Sequence, residues 1–273
     1  MNPRIFHSAP LKKGAEVMVT SSAATHLGKV LRLREGDDLI LFNGEGLDHM
    51  ARIISISRDN VAVVIVNSRK TRTESPATVT LLQGICRNHR MDMLIQKSTE
   101  LGVSAIMPVI CERSVVKLDD ERLTKKIGHW RGIVTSACEQ CGRSQIPDIA
   151  GPESLAVTIG RLDKKAARLM LDPEGTDTLE SGIGSADSIA LLIGPEGGLT
   201  ETERELAMNA GFRSARLGPR ILRTETAPIA ALSIIQYLKG DLGKKIAGLR
   251  ERPANRRHPG SLESSTPALL CPG

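Results

Sequence analysis

The sequence predicts an α/β protein led by a small β-barrel and followed by an irregular tail. Three observations carry that prediction. Residues 1–73 fall into short runs in which apolar and polar residues alternate. Residues 74–243 alternate apolar runs with longer helical stretches. Residues 244–273 are rich in Pro, Ser and Arg and show no period. A period of two buries one face of a strand, and several such strands in close succession make a barrel or sandwich. Strands alternating with helices make a largely parallel sheet.

In the first segment, strands are expected at 16–21, 38–43, 50–57 and 61–68, with turns around Gly36, Gly44–Gly46 and Asp59–Asn60. The stretch 23–33 reads as the one helix of this segment, presenting His26, Lys29 and Arg32. Residues 69–76 are polar and contain Pro76, so they read as a linker. Beyond it, strands are expected at 79–85, 105–110, 167–172, 188–194 and 214–218, with helices near 91–101, 120–141, 202–210 and 227–238. The expected division is 1–73 barrel, 74–243 α/β domain and 244–273 basic, disordered tail.

Two windows carry most of the functional information: LLIGPEGGLTETE (191–203) and LGPRILRTETA (217–227). The first reads as a buried strand, a glycine-rich turn, and a helix capped by Thr200 with Glu203 three residues on. The second repeats the plan with Gly218-Pro219, apolar Ile221-Leu222 and a polar run into a small-residue helix. Glycine at such turns lets main chain approach a ligand with no Cβ in the way. No GK[ST] follows, and neither window is GxGxxG, so the common phosphate and dinucleotide loops do not apply. A lone GPEGG is an ordinary turn; two backbone-rich loops about twenty residues apart point to one pocket built mainly from main chain.

These windows close an ordered series: Arg4; His26-Leu27 with 30–33 and Gly36-Asp37; Arg90-Met91-Asp92 leading into 95–103; then Trp130, Glu139-Gln140, Arg143 and Pro147. In that series, over roughly residues 1–243, the chain resembles the RsmE-type 16S rRNA (uracil-N3)-methyltransferases of the SPOUT class. The resemblance implies a PUA-like barrel followed by an α/β trefoil-knot domain with a mostly parallel sheet, the second window being threaded through the knot. It also implies S-adenosylmethionine as cofactor, 16S rRNA of the assembled small ribosomal subunit as substrate, and a homodimer.

By that resemblance, Leu171, Gly194, Pro195, Glu196, Gly197, Leu217, Gly218, Ile221, Leu222, Thr226 and Ala227 line the cofactor pocket. Arg223 and Glu225 are the candidates for its reacting end. N3 of uracil is a protonated imide nitrogen, so its methylation calls for an electrophilic methyl group and for stabilisation of charge on O2 and O4. A guanidinium supplies that stabilisation. A carboxylate can orient the guanidinium or the cofactor's ammonium, or accept a proton. The competing reading is that Arg223 and Glu225 simply pair. RNA contact is assigned to Arg4, His26, Lys29, Arg32 and Arg34 on the barrel.

Charge supports that division. The net +6 splits into +4 for 1–73, −2 for 74–243 and +4 for 244–273, so attraction to phosphates is expected at the ends of the chain. Aromatic residues make up 2% of the chain, too few for stacking along a single strand, which favours recognition of a folded RNA or ribonucleoprotein. Five cysteines fit reduced thiols, and Cys138 and Cys141 read as one helix face rather than a metal or redox site. No metal is expected. No apolar run nears the roughly twenty residues of a membrane span, and the start lacks the apolar core of a secretory signal. A cytoplasmic location follows as the expectation. Two other functions fit parts of the pattern: a knotted methyltransferase acting on tRNA or another rRNA position, and a catalytically silent ribosome-assembly factor.

Overall fold

The barrel strands form where alternation is strictest. In the computed structural model, which describes residues 2–57, 59–114 and 120–243, β2 (Glu16–Thr20) turns Val17 and Val19 inward and leaves Met18 outside. With β1 (Arg4–Phe6), β3 (Asp38–Phe42), β4 (Leu47–Ile56) and β5 (Asn60–Lys70) it makes a curled five-stranded sheet of order β1-β3-β4-β5-β2. Only β1 pairs in parallel; the others are antiparallel. Two register shifts between β4 and β5 sharpen the curl, as bulges do. Val61, Val63, Ile65, Leu39 and Leu41 fill the interior.

The helix expected at 23–33 is shorter. A helical turn α1 (Ser21–Thr25) passes into a wider π turn over His26–Val30. Leu27 is fully buried and Leu33 packs partly on the barrel core, while Val30 and Leu31 between them face solvent. The Leu33 N–H then bonds the Leu27 carbonyl at 3.1 Å, and this closure needs a left-handed residue, which is Arg32 at φ 54°.

The second sheet is parallel throughout, in the order β12-β10-β11-β6-β7-β8, with β9 also paired to β7. Its strands are β6 (Thr78–Gly84), β7 (Ala105–Ile110), β8 (Asp148–Ile149), β9 (Glu153–Ser154), β10 (Ala167–Leu171), β11 (Ser188–Ile193) and β12 (Arg213–Ala215). Residues 189–193 of β11 are all buried, because a central parallel strand is covered on both faces and so reads as an unbroken apolar run. On one face, α2 (Asn88–Glu100), α3 (Asp120–Cys141), α5 (Leu179–Ile183) and α7 (Thr226–Leu238) pack Leu94, Trp130, Ile183 and Leu232 against the sheet. On the other face lie α4 (Leu155–Gly160) and α6 (Glu201–Asn209).

Residues 1–243 make one compact unit, and the barrel is fastened to the larger sheet by polar bonds. Arg4 reaches Asp48 at 2.8 Å and Ser144 at 2.8 Å, while the Phe6 N–H donates to Glu139 at 2.9 Å. Burial pushes the Glu139 carboxyl above its ordinary range. The segment 244–273, expected to be disordered, lies outside the described residues.

Candidate cofactor cleft and RNA-facing rim

Parallel strands place all their carboxyl ends on one edge of the sheet, where ligands of open α/β folds bind. Here β12, β10 and β11 are neighbours, so the loops that follow them converge. They enclose a cleft of about 670 Å³. The end of β10 contributes Leu171 and Asp172, the end of β11 contributes the turn 194–199, and the end of β12 contributes the loop 216–224.

Each loop is held by its own chemistry. Gly198 adopts φ 70°, and its N–H bonds the Pro195 carbonyl at 2.9 Å, closing the first turn. Thr200 and Glu203 then form the expected capping box at the start of α6, and the other Glu203 oxygen accepts from the Glu112 N–H at 2.9 Å. In the second loop Gly218 adopts φ 71°, and Arg216 Nε donates to its carbonyl at 2.8 Å. Thr224 ties the two loops together: its Oγ1 donates to the Gly194 carbonyl at 2.8 Å and lies 3.2 Å from Gln83 Nε2. Gly84 permits the closest approach, since a Cβ there would lie 2.5 Å from Pro195 N.

Ten of the pocket residues expected from sequence line this cleft: Leu171, the four residues 194–197, Leu217, Gly218, Ile221, Leu222 and Ala227. Thr226 does not; it opens α7 outside the lining, and buried Thr224 lines the cleft instead. Gly197 also leaves room for a neighbouring side chain. A Cβ at 197 would meet Arg113 Cβ at 3.0 Å, so its missing side chain makes room for Arg113.

The two candidates for the reacting end separate. Arg223 is on the cleft lining, with no side-chain partner among the described residues. Glu225 is outside the lining and faces Arg90 Nε at 3.7 Å, so the two do not pair. Arg90 also bonds Glu196 at 3.2 Å, and the Arg87 N–H donates to the same Glu196 oxygen at 3.0 Å. The remaining oxygen of each carboxylate, Glu196 Oε2 and Glu225 Oε2, is buried without a donor. Burial, then these two carboxylates, push the adjacent Cys86 thiol up to about 12.

On the barrel, His26, Lys29, Arg32 and Arg34 are all exposed at the surface. Arg4 does not: its side chain is 8% exposed and locked between Asp48 and Ser144. It therefore leaves the set of RNA contacts, because a guanidinium spent on an internal ion pair and a seam has no donor to offer outside.

Sequence reading also missed partners. Gln83, the polar end of an otherwise apolar strand, and Arg90, at the start of a helix, gave a local signal without a role. Arg113 gave none, because its contacts are with residues more than eighty positions away.

A curled barrel joined to a parallel α/β domain, with a main-chain cleft at the strand ends, defines an RNA methyltransferase of the SPOUT class. A family model described as an RNA methyltransferase domain matches residues 73–236, and one described as an RNA methyltransferase PUA domain matches 19–66. The ribosomal RNA small subunit methyltransferase E of Buchnera aphidicola (Schizaphis graminum) is 35% identical over 88% of this chain and 98% of its own. That of Bacillus subtilis is 33% identical over 82% and 92%. Among solved structures, a Legionella pneumophila methyltransferase in complex with S-adenosylmethionine matches with a TM-score of 0.84 at 39% identity, over 88% of this chain and 99% of that one. The Neisseria gonorrhoeae ribosomal RNA small subunit methyltransferase E bound to the same molecule gives 0.83 at 37%, with the same coverage. The chain belongs to the ribosomal RNA small subunit methyltransferase E family.

Proposed function

We propose that this protein methylates N3 of one uridine in the decoding-site helix of 16S rRNA, in the assembled small subunit, using S-adenosylmethionine. The observation that carries the reading is the cleft at the β10, β11 and β12 ends, lined by main chain and by Arg223, which has no side-chain partner among the described residues. The cleft suits an adenine-bearing ligand. Leu171, Leu217 and Leu222 offer apolar contact, the glycine turns offer main-chain donors and acceptors, and Glu196 brings a carboxylate to the lining. When bound, S-adenosylmethionine supplies an electrophilic methyl group.

The chain's own residues do the rest. The Arg223 guanidinium stabilises negative charge on a uracil carbonyl oxygen as N3 gives up its proton to solvent water. Glu225 is a positioning residue: through Arg90 it holds the entry to α7 against the first loop. Because N3 sits on the pairing edge, the uridine must be unpaired or extruded to reach the cleft. We assign 1–73 to RNA docking and 74–243 to methyl transfer. We infer a homodimer, a reading supported by the exposed Ile221, at 83%, and by Tyr237 and Ile234 of α7, apolar groups that a second copy would cover. A chain with no helix long and apolar enough to cross a membrane, among the described residues, fits work on cytoplasmic ribosomes.

The test is a transfer assay with labelled S-adenosylmethionine offered in parallel to unmodified small-subunit particles, naked 16S rRNA and tRNA. Label should enter the particles and leave tRNA unlabelled. Label in tRNA alone would overturn the substrate assignment, and label in none would favour a silent assembly factor.

A further inference from the structure

The net −2 of residues 74–243 hides how that charge is distributed. Six arginines line the cleft, namely Arg90, Arg113, Arg204, Arg216, Arg220 and Arg223, against the acids Asp172 and Glu196. Arg204 reaches Asp172 at 3.9 Å and Arg90 reaches Glu196 at 3.2 Å, so two of the charges are compensated. Four are not. Arg113 donates to the main-chain oxygen of Gly197 at 3.1 Å, and Arg216 to that of Gly218 at 2.8 Å. A carbonyl satisfies one N–H without neutralising the guanidinium, which has five to give. The side chains of Arg220 and Arg223 meet no hydrogen-bond or ion-pair partner among the described residues.

Like charges gathered along one cleft focus a positive field there, which attracts an anion. An extruded base stays tethered through its ribose, so its flanking phosphodiesters must lie at the mouth of the pocket that takes the base. Guanidinium groups suit that ligand, since they bind phosphate oxygens bidentately.

We infer that Arg113, Arg216 and Arg220 form a phosphate clamp at the cleft mouth, holding the backbone on either side of the target nucleotide. The inference rests on the RNA-methyltransferase reading above and names the part of that site which grips the substrate. Such contacts position the strand without reading its sequence. Two loop features follow. Gly197 lacks a side chain so that Arg113 can lie over the first turn, and the Arg216 bond to Gly218 aims the second loop. RNA is then held at two places, the barrel and the rim, although the charge of the central segment taken as a whole predicts only the first.

The test uses the full chain and unmodified small-subunit particles. Affinity is measured across a salt series for the parent, Arg220→Ala, Arg220→Lys and Arg113→Ala with Arg220→Ala, and S-adenosylmethionine affinity is measured beside it by calorimetry. Arg220→Ala should reduce the slope of log affinity against log salt by about 0.7–0.9, and the pair by about twice that. Arg220→Lys should keep most of the slope, and cofactor affinity should stay within about twofold of the parent, well below the tenfold of 1.4 kcal/mol. A pair variant with the parental slope at every salt concentration overturns the clamp. So does a loss confined to cofactor affinity, which would make these arginines loop supports. A lost slope in a protein that methylates no uridine would uphold the clamp and overturn the function instead.

Discussion

Arg4 and Arg223 show how far one residue's role depends on where the fold sends it. Both are arginines in segments that read as functional, yet one is consumed by the fold and the other is left free. Arg4 and Asp48 are both nearly buried, so removing the arginine leaves Asp48 with only the Ser144 hydroxyl at 2.6 Å and the more exposed Arg69 at 3.4 Å. Leaving a buried charge wholly uncompensated costs roughly 3–5 kcal/mol, and the contacts that Asp48 keeps hold the cost at or below about 3 kcal/mol. Arg4→Ala should therefore lower the unfolding free energy by up to about 3 kcal/mol, while the salt dependence of RNA binding stays as in the parent; a chemical denaturation series and a binding series decide it. Arg223→Ala should behave in the opposite way. Turnover should fall by about two orders of magnitude or more, the scale on which donors to a developing oxyanion act, with stability and cofactor affinity little changed. A drop of less than about fivefold at saturating substrate would make Arg223 a bystander.

At the scale of elements, the closest packing in the site lies between the end of β6 and the turn after β11. A methyl group at position 84 would sit 2.5 Å from Pro195 N, and main chain there cannot yield cheaply. Gly84→Ala should displace the 194–199 turn and weaken S-adenosylmethionine binding by tenfold or more, about 1.4 kcal/mol or above. Gly128→Ala is the control: a Cβ there meets nothing within 4 Å, and alanine in mid-helix gains about 0.5–1 kcal/mol, so its melting temperature should rise. If both variants bind cofactor like the parent, the close approach does not shape the cleft. The elements most legible in the sequence were those with a long uniform signal, such as the continuously buried β11 and the capped α6. The two-residue strands β8 and β9 and the short helices α4 and α5 were not legible, since none extends far enough to show a period. The helix expected at 23–33 starts two residues earlier and ends at Val30, where Val30 and Leu31 turn to solvent. In the site, the glycine turns were legible because their chemistry is local. Gln83 and Arg113 were not, because their partners lie 141 and 84 residues away.

At the scale of the whole molecule, the proposed barrel docking and the proposed clamp make two parts of one RNA-binding surface, with the cofactor confined to the second sheet. Arg32→Ala with Arg34→Ala, in a chain ending at Gly243 so that the basic tail adds nothing, should weaken particle binding. Its salt dependence should flatten by about 0.7–0.9 for each phosphate no longer neutralised. Cofactor affinity should not move. Parental binding at every salt concentration would remove the barrel from the RNA-docking surface. The chemical identity of the product is the most direct test of the proposed reaction. Unmodified small-subunit particles are incubated with the protein and S-adenosylmethionine, and the rRNA is digested to nucleosides and mapped by mass spectrometry. The expected product is 3-methyluridine at a single position in the decoding-site helix. A methyl group on a ribose oxygen, on uracil C5 or at several scattered uridines would contradict it.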